Sequence, residues 1–329
     1  MGRMIWAGRV SGEHIRRLMR WDTGAAISRE SYGRLRADPR YGRTVRTFAR
    51  NMLVAGDADR FLDGILKDAG RNVAALCAAH LHFTGGLTLP RLKALCASFG
   101  LVSPGRARAL LLYLRYLGYV ERSTAHKKGA PALYVATPRF LDTWREHQRA
   151  VLNAVQILEP AVGLLIDRFD EPGVFETFTK KICEAFLDAA RQTDVDAPYF
   201  RVFMHRNAGI QIVHALISAD ADDVFPPARP IAFSLSAAAR RFRVSRIHVR
   251  RLIDAAEREG LLHLSNSGTI VLQDAGRRAI DDIFSTQVIR FLMVAARTLK
   301  TCQDATGRII VPPSLPQGAR IDRATALFG

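Results

Sequence analysis

The chain has 329 residues, 48% of them apolar, and carries a net charge of +17 with a pI near 10.5. That length accommodates two ordinary domains, each with its own core, and the apolar content excludes a chain that stays unfolded. No uncharged apolar run approaches the ~20 residues of a membrane helix, and the start MGRMIWAGRV has no long apolar signal region. The expectation is a cytoplasmic, nucleoid-associated protein without a membrane partner.

A charge of this size points to a polyanion, because each Lys or Arg that neutralises a phosphate releases a condensed counterion. The charge is uneven. Residues 1–50 hold 12 Lys and Arg against 4 Asp and Glu, residues 101–150 hold 9 against 3, and residues 201–250 hold 8 against 3. Residues 151–200 reverse the balance, with 4 against 9. Two basic segments therefore flank an acidic middle. The four cysteines, Cys77, Cys96, Cys183 and Cys302, form no C-x-x-C pair and read as buried free thiols.

In chain order, residues 1–50 read as a basic N-terminal arm, with short helices over Ser11 to Trp21 and Arg34 to Arg50. A helical pattern begins at Arg71 and breaks at Gly85-Gly86. Thr88 caps a second helix with Pro90 in its first turn. Ser103-Pro104 starts a third, with Ala107, Leu110, Leu111 and Leu114 as its buried stripe, and Gly118 takes the left-handed position after its end. Residues 119–122 and 132–135 read as strands around the loop STAHKKGAP. A long helix follows over 138–158. Helix, helix, turn, helix and a β-hairpin is the order of a winged helix-turn-helix.

The order recurs. Arg206-Asn207-Ala208 opens a helix, Ser234 or Ser236 caps the next, and Ser245 caps RIHVRRLIDAAERE, which Gly260 closes. Residues 261–264 and 269–272 flank the turn Asn266-Ser267-Gly268, and a long helix follows over 274–298. Ser103 to Ser245 and Gly118 to Gly260 are both offsets of 142, and the buried stripe maps onto Val249, Leu252, Ile253 and Ala256 at the same offset. The fold class expected is mainly α with small β-hairpin wings, as tandem winged helix-turn-helix domains. The divisions are 1–50 (arm), 51–158 (first winged helix), 159–198 (acidic helical connector), 199–300 (second winged helix) and 301–329 (tail).

The stretch SLSAAARRFRVSRIHVRRLIDAAEREGLLHL resembles the helix-turn-helix of MarR-family transcriptional regulators, with similarity to GntR-type domains. Ala237, Ala238, Phe242, Val244, Ser245 and Glu259-Gly260-Leu261 carry the resemblance, which covers about 70 residues. SFGLVSPGRARALLLYLRYLGYVE matches more weakly, with one extra residue in the turn.

In such a unit the start of the third helix enters the major groove. The candidates are Arg246, His248, Arg250 and Arg251 in the second unit, and Arg106, Arg108 and Arg115 in the first, because Arg can bind guanine bidentately. Ser103 and Ser245 cap these helices, and a helix N-terminus also suits a phosphate. His126, Lys127 and Lys128 at the first wing can reach the minor groove or the flanking backbone, and Arg240, Arg241 and Arg243 before the second third helix can hold phosphates at the groove edge. Leu112 and Tyr113 read as surface packed against another domain or subunit.

Enzyme chemistry is not expected. His248 and Arg251 echo the H-x-x-R of tyrosine recombinases, but the last tyrosine is Tyr199, upstream of them. His80 and His82 are two apart and point to different faces of a helix. No phosphate-loop or H-E-x-x-H signature is present, so no cofactor or metal is expected. Double-stranded DNA is the partner, with two readings of assembly: one chain imitating a two-fold pair, or a homodimer presenting four units. A plasmid-type replication initiator and a winged-helix protein-interaction scaffold are the alternatives to a transcriptional regulator.

Overall fold

The computed structural model describes residues 12–22, 24, 27–124, 129–219 and 224–302. It is mainly helical, with two small three-stranded antiparallel sheets. The first 58 residues give helices α1 (Gly12–Met19), α2 (Arg29–Ala37) and α3 (Tyr41–Ala58). Then come α4 (Arg60–Leu66), α5 (Ala69–Phe83), β1 (Leu87–Thr88), α6 (Leu89–Ser98), α7 (Pro104–Tyr116), β2 (Val120–Arg122), β3 (Leu133–Ala136) and α8 (Pro138–Val155). The acidic stretch forms α9 (Val162–Asp167) and α10 (Pro172–Ala190). After a π-helical turn, Phe200–Met204, the chain gives α11 (Gly209–Ala219), β4 (Ile231–Ala232), α12 (Leu235–Arg241), α13 (Arg246–Arg258), β5 (Leu262–Leu264), β6 (Thr269–Leu272) and α14 (Asp274–Thr301).

Helix, strand, helix, helix, strand, strand, helix thus occurs twice, over α5–α8 and α11–α14. The sheets have the same topology, with orders β1-β3-β2 and β4-β6-β5. Strand β6 pairs with β5 from Leu262↔Leu272 to Leu264↔Ile270, and β3 pairs with β2 from Val120↔Ala136 to Arg122↔Tyr134. The local chemistry repeats as well. Thr88 and Ser234 cap α6 and α12, accepting from Arg91 N and Ala237 N. Ser103 and Ser245 cap α7 and α13, accepting from Arg106 N at 3.3 Å and His248 N at 3.0 Å. Gly118 and Gly260 follow those helices with φ of 70° and 65°, the left-handed region open to glycine without a Cβ clash.

Three readings are corrected. The described residues of the expected 1–50 arm pack into the core: Leu18, Leu35 and Val45 are fully buried, and Arg36 on α2 grips Asp281 and Asp282 on α14, each at 2.6 Å. Basic residues on the outer face masked that apolar stripe. The boundary at 50 falls inside α3, which packs against α8 on one side and α11 on the other. Residues 159–198 are not a mere connector, because α10 carries Val174, Phe175, Phe178 and Ile182 into the core and packs on α5 and α14. One continuous hydrophobic core joins both repeats.

Candidate nucleic-acid interface

Helix α13 buries Val249, Leu252, Ile253, Ala255 and Ala256. The opposite face presents Arg246, Ile247, Arg250 and Arg251 to solvent, with Ile247 65% exposed. Among the described residues, no carboxylate lies within ion-pair distance of Arg240, Arg246 or Arg251. Arg250 is bound by Asp254 one turn on, at 2.7 Å, and Arg241 reaches Asp57 on α3 at 2.8 Å.

Arg243 sits in the turn between α12 and α13 with φ of 52°, a region few non-glycine residues occupy. Its guanidinium donates to the buried Asp63 carboxylate on α4 at 3.0 Å. The corresponding turn of the first repeat has Gly100 there, φ 69°. That turn runs one residue longer, from Phe99 to Ser103 against Phe242 to Ser245.

Two residues assigned to base edges turn inward. His248 Nε2 lies 2.7 Å from the Asn207 carbonyl, just ahead of α11. Arg106, at the matching position of α7, donates to Asp68 Oδ1 at 2.6 Å. Asp68 is buried, caps α5 through Arg71 N and also binds Arg71 Nε at 3.1 Å. Both side chains thus tie the start of a third helix to the start of the first helix of its repeat.

Arg108 is exposed on α7, and Arg115 lies over the Tyr134 ring at 5.6 Å. Ser103 and Ser245 use their hydroxyls in capping. Tyr113 is half-buried beside Gly64 and under Arg71. Leu112 and Tyr116 instead stand 49% and 84% exposed, so the expected burial of Leu112 does not occur within the chain. His126, Lys127 and Lys128 lie outside the described residues. The second hairpin is tight: Ser265, Ser267 and Thr269 exchange hydroxyl hydrogen bonds and Gly268 has φ of 78°.

The basic surface is therefore unequal. The second repeat offers six arginines over residues 240–251, three without an internal carboxylate. The first offers Arg108 and Arg115 beside an apolar Leu112–Tyr116 face.

All four cysteines are free and buried. Hydrogen bonds with Cys77 and His80 hold the Cys183 thiol below the ordinary thiol range. Among the described residues, no group of three or more His, Cys, Asp or Glu is arranged to hold a metal ion, and no helix is long and apolar enough to cross a membrane.

The sequence reading missed Asp63 and Asp68. Asp68 reads locally as the N-cap of α5 and Asp63 as a first-turn acid of α4, and nothing local tells that they also hold arginines 38 and 180 positions away. No protein-family model matches the chain, and neither does any curated protein or solved structure.

Proposed function

We propose that the chain binds double-stranded DNA through two winged-helix units in tandem and acts as a transcriptional regulator. The carrying observation is the exposed arginine face of α13, the third helix of a helix, strand, helix, helix, strand, strand, helix order that occurs twice. In a winged helix the third helix enters the major groove, and Arg246, Arg250 and Arg251 are the α13 side chains that would face it. Arg240 precedes them as a backbone contact, and Arg108 and Arg115 would take the same part from α7. The resemblance of residues 234–264 to MarR-type regulators supports the same reading, as does the net charge.

His248 and Arg106 leave the list of base contacts and become holders of helix orientation. A duplex-binding titration over a range of salt tests the proposal. The association constant should fall steeply as salt rises, and no detectable binding at low salt would end this reading. A footprint near one helical turn per chain marks a chain acting alone, and one about twice that length marks a homodimer.

A further inference from the structure

A cavity of about 570 Å³ lies where α3, α5, α8, α10, α11 and α14 converge. That volume falls within the range of small-molecule sites. Its walls are largely apolar and aromatic, with Phe48, Leu76, Ile182, Phe186 and Phe291 among them. Five buried polar atoms on wall residues have no protein partner: Trp144 Nε1, His147 Nδ1, Gln148 Oε1, Tyr199 Oη and Gln211 Oε1. None of those five residues is more than 6% exposed. Those five atoms are themselves closed off from the cavity space, so these residues meet a ligand through their apolar and aromatic surface.

The charges of the wall select among ligands. Asp68 is neutralised by Arg71 and Arg106, and Asp282 by Arg36. The remaining charged wall residues, Asp194 and Arg290, are opposite in sign. We propose that this cavity is a binding site for an uncharged, mainly aromatic small molecule.

The test uses N-phenyl-1-naphthylamine, an uncharged aromatic amine that brightens in apolar surroundings, with the full chain in the absence of DNA. Binding should saturate at one dye per chain. Ala189→Trp, which fills the cavity from α10, should abolish it while the far-ultraviolet circular dichroism is kept. Uncharged 2-naphthol should displace the dye at lower concentration than 2-naphthoate. Absence of saturable binding, or dye binding by Ala189→Trp equal to the unaltered chain's, overturns the site. Stronger displacement by 2-naphthoate overturns the uncharged class.

Discussion

The carboxylate of Asp63 and the side-chain amide of Gln211, 148 positions apart in the chain, meet at 2.5 Å. The other Asp63 oxygen takes Arg243 at 3.0 Å and Lys67 at 3.6 Å. Three segments are thereby fixed to one buried acid: α4, the start of α11 and the turn before α13. Asp63→Ala would strand Lys67, itself 9% exposed, as a buried charge with no partner. The expected loss is about 3–5 kcal/mol of unfolding free energy in urea. Arg243→Ala removes a half-exposed partner and should cost less than about 1 kcal/mol. Equal losses would show that the acid does not organise this junction.

Acid should destabilise the fold before the carboxylates titrate. Burial pushes the imidazole of His147 down to about 4 and that of His214 down to about 3. Both bind a proton less tightly folded than unfolded. Their contribution is therefore complete above about pH 6.5, the unfolded value, and is lost as pH falls from there toward 4. Two such groups give a slope approaching about 2.7 kcal/mol per pH unit. His82, also lowered by burial, adds in the same sense, and His80, raised mainly by its Cys183 hydrogen bond, opposes it. Urea unfolding at pH 7.5, 6.0 and 5.0 reads the slope, and His147→Gln should reduce it by about half.

Gly276 opens α14 where the helix crosses the end of α13. A Cβ there would collide with the Leu261 carbonyl, and backbone cannot yield as a flexible side chain can. Gly276→Ala should therefore destabilise by about 1–3 kcal/mol through overpacking, although alanine is the better helix former. A rise in melting temperature would refute the close approach.

Deleting residues 1–50 should not leave a folded remainder. The cut runs through α3 and removes Leu18, Trp21, Leu35, Val45 and Phe48 from the core. It also takes away the Trp21 indole that donates to buried Glu159 at 3.0 Å. The truncated chain is expected to aggregate or to lose its cooperative melt by circular dichroism. A soluble, cooperatively melting fragment would restore these residues to the status of an appendage.

The duplex titration should separate the arginines. Arg246→Ala and Arg251→Ala should each weaken binding and lower the salt slope by about 1 if they meet phosphate. Arg108→Ala should weaken it less. Arg106→Ala should act mainly through stability, since its guanidinium belongs to Asp68. A large loss of affinity at unchanged melting temperature in Arg106→Ala would return it to the interface.

What the sequence disclosed was local. Ser103, Ser245, Gly118 and Gly260 announce helix ends because capping needs only a few neighbouring residues, and the two hairpins follow from β-branched runs around polar turns. Strand β6 falls at 269–272 in both sequence and structure. Strands β1 and β4 escaped notice because two residues beside a helix cap carry no period of their own. The α2–α3 region read as one helix over Arg34 to Arg50, whereas Asp38-Pro39 divides it and α3 continues to Ala58. The cavity was invisible for another reason. Its polar wall is drawn from α8, the π-helical turn and α11, and no spacing rule links Gln148, Tyr199 and Gln211.

The spine formed by α3 has a consequence for how two DNA half-sites could be met. Modules on a floppy tether search for their second site at an effective concentration set by linker length. Here the two third helices hang from one core, so their separation and phase are settled when the chain folds. A target with its half-sites moved apart by half a turn of the duplex would face one of the two helices from the wrong side. The protein would act as a caliper of fixed span.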